Sequence, residues 1–285
     1  MWHIKHSSQG KTMEKFIRLL QTHMEEPKPF GAFHLTAVAV VLILTIVLCV
    51  FFRNADATTY RNILISIWAV MFVMEGVRQL TLSCTFTPEG KAIWAYQWHA
   101  FPLQLCDSPL YILLPIALLK DCKLRRMLSS YAFTYVLLGG LATYLAPDSI
   151  STTVVYLNVQ TLTHHGLQIA SCIYIGVYNR KHISIRRFLD AFIVFIIAVC
   201  IATIFNIVMH KIIPDQVINM FYISPYFLKT APLIFNAAWS KLGGIGRLFF
   251  YIGGMTGIAF IIFMVFYLFA LFFKRRQAKA SAQTA

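Results

Sequence analysis

Charge is what this sequence has least of. Only 13% of its 285 residues are Asp, Glu, Lys or Arg, about half the ~25% of an average soluble domain. A water-soluble fold of this length needs more polar surface than that, so a soluble globular protein is excluded. Acidic residues are scarcer still, 11 against 25 Lys and Arg, for a net charge of +14. That excess does not imply a nucleic-acid partner. The positive residues sit in short connecting segments such as Lys120–Arg126, Arg180–Arg187 and Lys274–Lys279, the placement expected of cytoplasmic loops facing anionic lipid.

Paired cysteines are also lacking. The six present are Cys49, Cys84, Cys106, Cys122, Cys172 and Cys200, and no two form a Cys-x-x-Cys pair. Neither a disulfide framework nor a zinc site follows from that spacing, and no metal or other cofactor is expected. There is no secretory signal: the first long apolar run starts after residue 34, and no small-residue cleavage site follows it. There is no internal repeat.

What is abundant is apolar surface: 58% hydrophobic residues, 24 of the chain's residues being Phe. These residues cluster into runs near the ~20 needed to cross a hydrocarbon core of ~30 Å. The chain therefore reads as an all-α, polytopic transmembrane helix bundle with about seven spans, at 35–52, 62–82, 101–119, 127–146, 153–178, 188–209 and 247–273. Residues 1–34 form a polar arm with an amphipathic helix at Met13–Met24, where Phe16, Leu19, Leu20 and His23 share a face suited to the membrane interface. Residues 35–273 are the bundle, and 274–285 a basic tail. Pro102, Pro109 and Pro115 interrupt the third span, which frees backbone carbonyls inside the bundle. Gly139-Gly140 in the fourth allows close helix contact. The aromatic stretch 212–246, with Pro214, Pro225 and Pro232, reads as a loop with re-entrant or interfacial pieces.

Orientation follows from the short loops. Residues 83–100 and 147–152 together hold one positive residue, Lys91, whereas the loops on the opposite side are rich in Lys and Arg. The expectation is a multi-pass cell-membrane protein with its C-terminus in the cytoplasm and its N-terminus outside.

Ionisable groups inside a membrane are costly and mark function or deliberate pairing. Glu75, Arg78 and Gln79 lie near the outer end of the second span; Glu75 and Arg78, at i and i+3, share a helix face. The third span opens Phe101-Pro102-Leu103-Gln104-Leu105-Cys106-Asp107-Ser108-Pro109, placing a carboxylate beside a thiol between two prolines. The fifth carries Thr161, Thr163, His164, His165 and Gln168. Neighbouring residues on a helix point ~100° apart, so at least one of the two imidazoles faces the interior. From the helical rise the pair should sit ~18 Å into its span, one layer below Cys106. A thiol beside an imidazole supports nucleophilic acyl transfer through an acyl-cysteine. Arg78 is placed to hold a phosphate or an oxyanion, and Asp107 either points away or orients His165 as the third member of a triad does. Packing alone accounts for a lone buried His, and a locking ion pair alone accounts for Glu75 with Arg78.

These same stretches carry a resemblance. Phe101–Pro109, Glu75-x-x-Arg78-Gln79, His164-His165-Gly166 and Asn219-Met220-Phe221-Tyr222 resemble the bacterial YwaF-like integral membrane family, which is similar to the animal proteins called transmembrane protein 164. The resemblance covers roughly residues 35–270. Bacterial members often have a His where this chain has Gln104. The animal relatives are described as phospholipid acyltransferases using a Cys and His pair. Carried over, this implies Cys106 as nucleophile and His165, or His164, as base, with Glu75, Arg78, Gln79, Gln104, Asp107 and Asn219 lining a substrate site. Three readings remain open: a lipid-active acyltransferase or acyl hydrolase, a small-molecule permease using the broken third span, and a noncatalytic assembly partner. Membrane lipids are the expected partners; nucleic acid is not.

Overall fold

The computed structural model describes residues 2–3, 8–227 and 241–283. Helices dominate it. The first, α1 (Ser8–Leu20), lies on the arm; α2 (Ala32–Phe51) and α3 (Ala57–Ser83) follow. Next come α4 (Ser108–Leu118), then α5 (Lys123–Tyr131) and α6 (Leu137–Leu145) joined by a π-turn at Ala132–Val136. The bundle closes with α7 (Val155–Tyr178), α8 (Arg186–Ile212) and α9 (Gly244–Gln283).

Among the described residues, five helical stretches are long and apolar enough to cross a bilayer: Ala32–Phe51, Ala57–Ser83, Lys123–Leu145, Arg186–Ile212 and Gly244–Arg276. Their outer faces carry exposed aliphatic side chains, among them Leu42, Ile43 and Ile46 on α2, Ile197, Ile201 and Ile204 on α8, and Ile261, Val265 and Leu268 on α9. Such faces need lipid or another apolar cover. The remaining two of the seven expected spans are also helical but differ in kind. The apolar stretch Leu105–Leu118 is short. α7 is full length yet polar, with Asn158, Gln160, His164, His165, Gln168 and Ser171 all buried.

α7 is therefore the central helix. It packs against α2, α3 and α6, so neighbours shield its polar side chains from lipid. The Gly139-Gly140 pair makes the α6 contact possible. A Cβ on Gly140 would stand 2.9 Å from Ile169 Cγ1, and one on Gly139 3.3 Å from Gln168 Nε2.

The third span is not a helix over 101–119. Pro102 disfavours helical backbone at the preceding residue, and Phe101 is extended at φ −55°, ψ 131°. The chain enters the bundle as irregular structure, makes a 3₁₀ turn at Leu105–Asp107 and becomes helical only at Ser108. Pro109 sits in the first turn, where its missing N–H costs nothing. Pro115 lies inside α4; one turn earlier, the Leu110 carbonyl accepts a hydrogen bond from Trp68 Nε1 at 2.8 Å.

The arm also departs from expectation. α1 ends at Leu20, short of Met24, because the chain then extends and pairs with the start of α7: Met24 N–H donates to Thr153 O at 2.7 Å and Val155 N–H to Thr22 O at 3.0 Å. Ile17 of α1 is buried against Cys84 and Ala92, while Phe16 and Leu19 are exposed. Residues 83–100 contribute two strands of a small antiparallel sheet. Its order is β1 (Trp2–His3), β3 (Ala92–Trp94), β2 (Cys84–Phe86). Gly90, at φ +81°, makes the β2–β3 turn possible. α9 runs on to Gln283, through the basic segment that follows residue 273.

Of the stretch 212–246, residues 228–240, including Pro232, lie outside the described residues. The part before them folds back into the bundle, burying Ile218, Met220 and Phe221. Asn206 on α8 anchors it, donating from Nδ2 to Met220 O at 3.0 Å and accepting Met220 N–H at 2.7 Å.

Candidate functional site

A cavity of about 530 Å³ opens inside the bundle between the Leu105–Asp107 turn, α3, α6, α7 and the 219–224 loop. Seven of the nine residues expected to act together line it: Cys106, His164 and His165, with Glu75, Arg78, Gln104 and Asp107. The depth expectation is corrected by the broken third span. Because residues 101–104 descend as non-helical chain, Cys106 reaches the level of the imidazoles, and His164 Nε2 lies 3.2 Å from the Cys106 carbonyl oxygen. That contact is to the backbone, not the thiol. Among the described residues the Cys106 sulfur makes no hydrogen bond, and the residue is only partly buried.

The two imidazoles are differently committed. A carbonyl only accepts, so His164 donates from Nε2 to Cys106 and its Nδ1 has no partner among the described residues. His165 donates from Nδ1 to the Thr161 carbonyl one turn earlier, at 2.7 Å. This bond fixes the tautomer in which Nε2 keeps its lone pair. The rings stand edge to face at 5.5 Å between centroids. Gly139 sits beneath Cys106: a Cβ there would lie 3.5 Å from its backbone nitrogen.

Glu75 is the buried anion of the site. Its Oε1 accepts Arg78 Nη1 at 2.8 Å and Gln79 Nε2 at 2.6 Å, and its Oε2 accepts Gln160 Nε2 at 3.2 Å across to α7. The expected ion pair is thus present, and satisfying the carboxylate from three donors is what makes its burial tolerable. Arg78 also donates from Nη1 to Ala100 O at 3.3 Å. Its Nη2 and Nε make no hydrogen bond among the described residues, leaving one edge of a cavity-lining guanidinium for an anion.

Asp107 closes the turn that carries Cys106. Its Oδ2 accepts the Gln104 backbone N–H at 2.7 Å, closing the 3₁₀ turn, and it makes no hydrogen bond to either imidazole. The Gln104 carboxamide is a clamp: Nε2 donates to Asn219 O at 3.0 Å and Oε1 accepts Phe221 N–H at 2.7 Å. Two expected site residues fall outside the lining. Gln79 braces Glu75 and donates to Ala100 O at 2.8 Å. Asn219 gives its carbonyl to Gln104 and its Oδ1 to Ser224 N–H at 2.9 Å.

The 219–224 loop closes the cavity in a strained form, with Phe221 and Tyr222 at φ 56° and φ 58°. Consecutive non-glycine residues in the left-handed region are unfavourable and need external support, which Gln104 and Asn206 supply. Phe221, Tyr222, Gln160, Tyr251 and Met255 also line the cavity and were not singled out as site residues. Tyr222 stands in one of the motifs quoted for the resemblance. Tyr251 and Met255, within the apolar run of α9, carry no local signal. Among the described residues no three His, Cys, Asp or Glu side chains converge as a metal site requires.

A family model described as the TMEM164 family matches residues 29–274, close to the extent expected from the motifs. No curated protein and no solved structure matches.

Proposed function

Because the chain belongs to the TMEM164 family of membrane proteins, we propose that it is a lipid-active acyl-transfer enzyme, an acyltransferase or acyl hydrolase, with Cys106 as nucleophile and His165 as base. The observation that carries this reading is a partly accessible cysteine sharing a cavity with an imidazole held in its proton-accepting tautomer.

In the first half-reaction His165 Nε2 takes the thiol proton as Cys106 Sγ attacks an ester carbonyl. The C–S bond forms, the ester C–O bond breaks, and the leaving alkoxide receives the proton from His165. In the second, an acceptor hydroxyl or water gives its proton to His165 and takes the acyl group, and the proton returns to sulfur. The uncommitted edge of Arg78 is suited to the phosphate of a phospholipid or to the developing oxyanion. His164 acts as a positioning residue, tying α7 to the Cys106 backbone. The test is an acyl-cysteine adduct. Purified protein in lipid, treated with a thiol-directed acyl probe, should form one that Cys106→Ser abolishes while leaving the melting temperature unchanged. Absence of any adduct in the folded wild type would overturn the proposal.

A second reading, a small-molecule permease, is favoured by the interrupted α4 leading into a polar cavity, an arrangement that transporters use for solute sites. Solute flux into proteoliposomes without an acyl adduct would select it.

A further inference from the structure

A second, larger cavity of about 680 Å³ lies at the other end of the bundle, where the α2–α3, α4–α5 and α7–α8 connections meet α9. Tyr178, on its wall, is 13 positions beyond His165 along α7, or ~20 Å by the helical rise, so the two cavities occupy different levels. Six cations surround this one: Arg53, Arg125, Arg126, Arg180, Lys181 and Arg187. One carboxylate, Asp121, lines it.

Basic loops at one end of a membrane bundle are ordinary when their side chains are loose in solvent. Here two are not loose, and no acid holds them. Arg180 is buried, donating from Nη1 to Arg53 O at 2.8 Å and Val177 O at 2.9 Å, and from Nη2 to Asn54 Oδ1, with its guanidinium 5.4 Å from the Phe273 ring centroid. Arg125 donates from Nε to Ile116 O at 2.9 Å and has its guanidinium 5.5 Å from the Tyr60 ring. Carbonyls and aromatic faces fix the position of these charges without neutralising them. Arg126 is paired with Asp121 at 3.2 Å, and Arg187 with Asp190 at 3.3 Å. Arg53 and Lys181, at the exposed rim, have no ion pair or side-chain hydrogen bond among the described residues.

We infer that this cavity binds a phosphate-bearing anion. Guanidinium groups held in place match phosphate oxygens geometrically and lose little freedom on binding. Like charges gathered around one void repel one another until an anion enters. Phe133, Tyr178 and Phe273 give the cavity an apolar wall for the carbon body attached to the phosphate. The ligand comes either from solution, as a soluble phosphate ester, or from the bilayer, as an anionic phospholipid head group.

The test measures the melting temperature of the full-length protein in uncharged detergent against inorganic pyrophosphate, with sodium chloride at matched ionic strength. In parallel it compares phosphatidylcholine nanodiscs with and without phosphatidylglycerol. Saturable stabilisation by pyrophosphate beyond the salt control assigns a soluble source; stabilisation by phosphatidylglycerol alone assigns the head group. In either case Arg53→Gln with Lys181→Gln should weaken the response about tenfold, the worth of a lost charge-assisted hydrogen bond. Should that double variant not melt cooperatively, Lys181→Gln alone, at an exposed position, carries the comparison in the same direction. No response above the salt control in either arm, or an unchanged response in the variants, would overturn the inference.

Discussion

His165 gives its Nδ1 proton to the Thr161 carbonyl 2.7 Å away, and so a main-chain atom of its own helix decides which ring nitrogen is basic. A carboxylate does this work in many triads; here Asp107 is occupied by the Gln104 N–H. Iodoacetamide should therefore alkylate Cys106 faster than Cys84, which is buried, or Cys122. His165→Ala should slow Cys106 labelling on the order of tenfold through loss of the base, and acyl transfer by ~10²-fold or more. Labelling no faster than at Cys122, measured by mass spectrometry of timed digests, would leave Cys106 as a packing residue.

The Glu75–Arg78 pair should show coupling. Either Glu75→Gln or Arg78→Gln strands a buried partner and should destabilise by ~3–5 kcal/mol, with the double change recovering part of the loss. Thermal melts in detergent for the three variants measure this, and additive losses would mean that the two side chains do not interact.

Gly166 marks a close approach between α7 and α2. A Cβ there would stand 2.4 Å from Val41 Cγ2 and 2.9 Å from the Tyr144 hydroxyl, whose hydrogen bond to Leu162 O at 2.8 Å ties α6 to α7. Gly166→Ala should cost ~1–3 kcal/mol of stability through overpacking. Gly139→Ala, with its nearest contact at 3.3 Å, should cost less in the same melts yet shift Cys106 and lower its labelling rate.

Asn206→Ala removes both of its hydrogen bonds to Met220, leaving the buried Met220 N–H unpaired at ~1–3 kcal/mol, while the Met220 carbonyl keeps the Ile223 N–H at 3.3 Å. The loop over the cavity should loosen, and Cys106 should become more reactive toward a bulky water-soluble maleimide. An unchanged rate would mean that the clamp of Gln104 on Asn219 and Phe221 suffices alone.

Sidedness is open to direct measurement. A reporter fused after Ala285 should read cytoplasmic and one inserted between Pro147 and Thr152 external, as the scarcity of positive charge in the latter loop demands. Both on one side would be incompatible with the order of spans.

How much of this could be read from residues alone depended on whether the information was local. Glu75, Arg78 and Gln79 fall at i, i+3 and i+4, so their cluster follows from helical spacing, and Gly139-Gly140 announced a close approach that the Gln168 and Ile169 contacts bear out. The meeting of His164 with Cys106 was not local. It depends on residues 101–104 entering as non-helical chain, whereas counting them as helix places the thiol a layer too high. The contact of α1 with the rest of the fold is not local either: apolar spacing marks Phe16 and Leu19, which are exposed, whereas Ile17 is buried by β2 and β3, more than sixty positions away. Tyr251 and Met255 reach the cavity only through the packing of α9, and nothing in an apolar run distinguishes them.

The π-turn at Ala132–Val136 has a consequence for insertions and deletions. Such a turn is the shape left when one residue is added to a formed α-helix and its flanks keep their original facing. The Lys123–Leu145 span thus carries a spare residue between Ser129 and Ser130, which line the cationic cavity, and Gly139, which lines the other. Deleting one position within 132–136 should let the segment relax to ordinary helix with both ends still in phase. Deleting one position elsewhere between Arg125 and Gly139 would swing the far end through ~100°, turning Gly139 away from Cys106 while leaving the arginines where they are. The span is therefore tolerant of length change within the π-turn, which begins at the wall of the cationic cavity, where Phe133 stands, and ends shortly before Gly139 at the other.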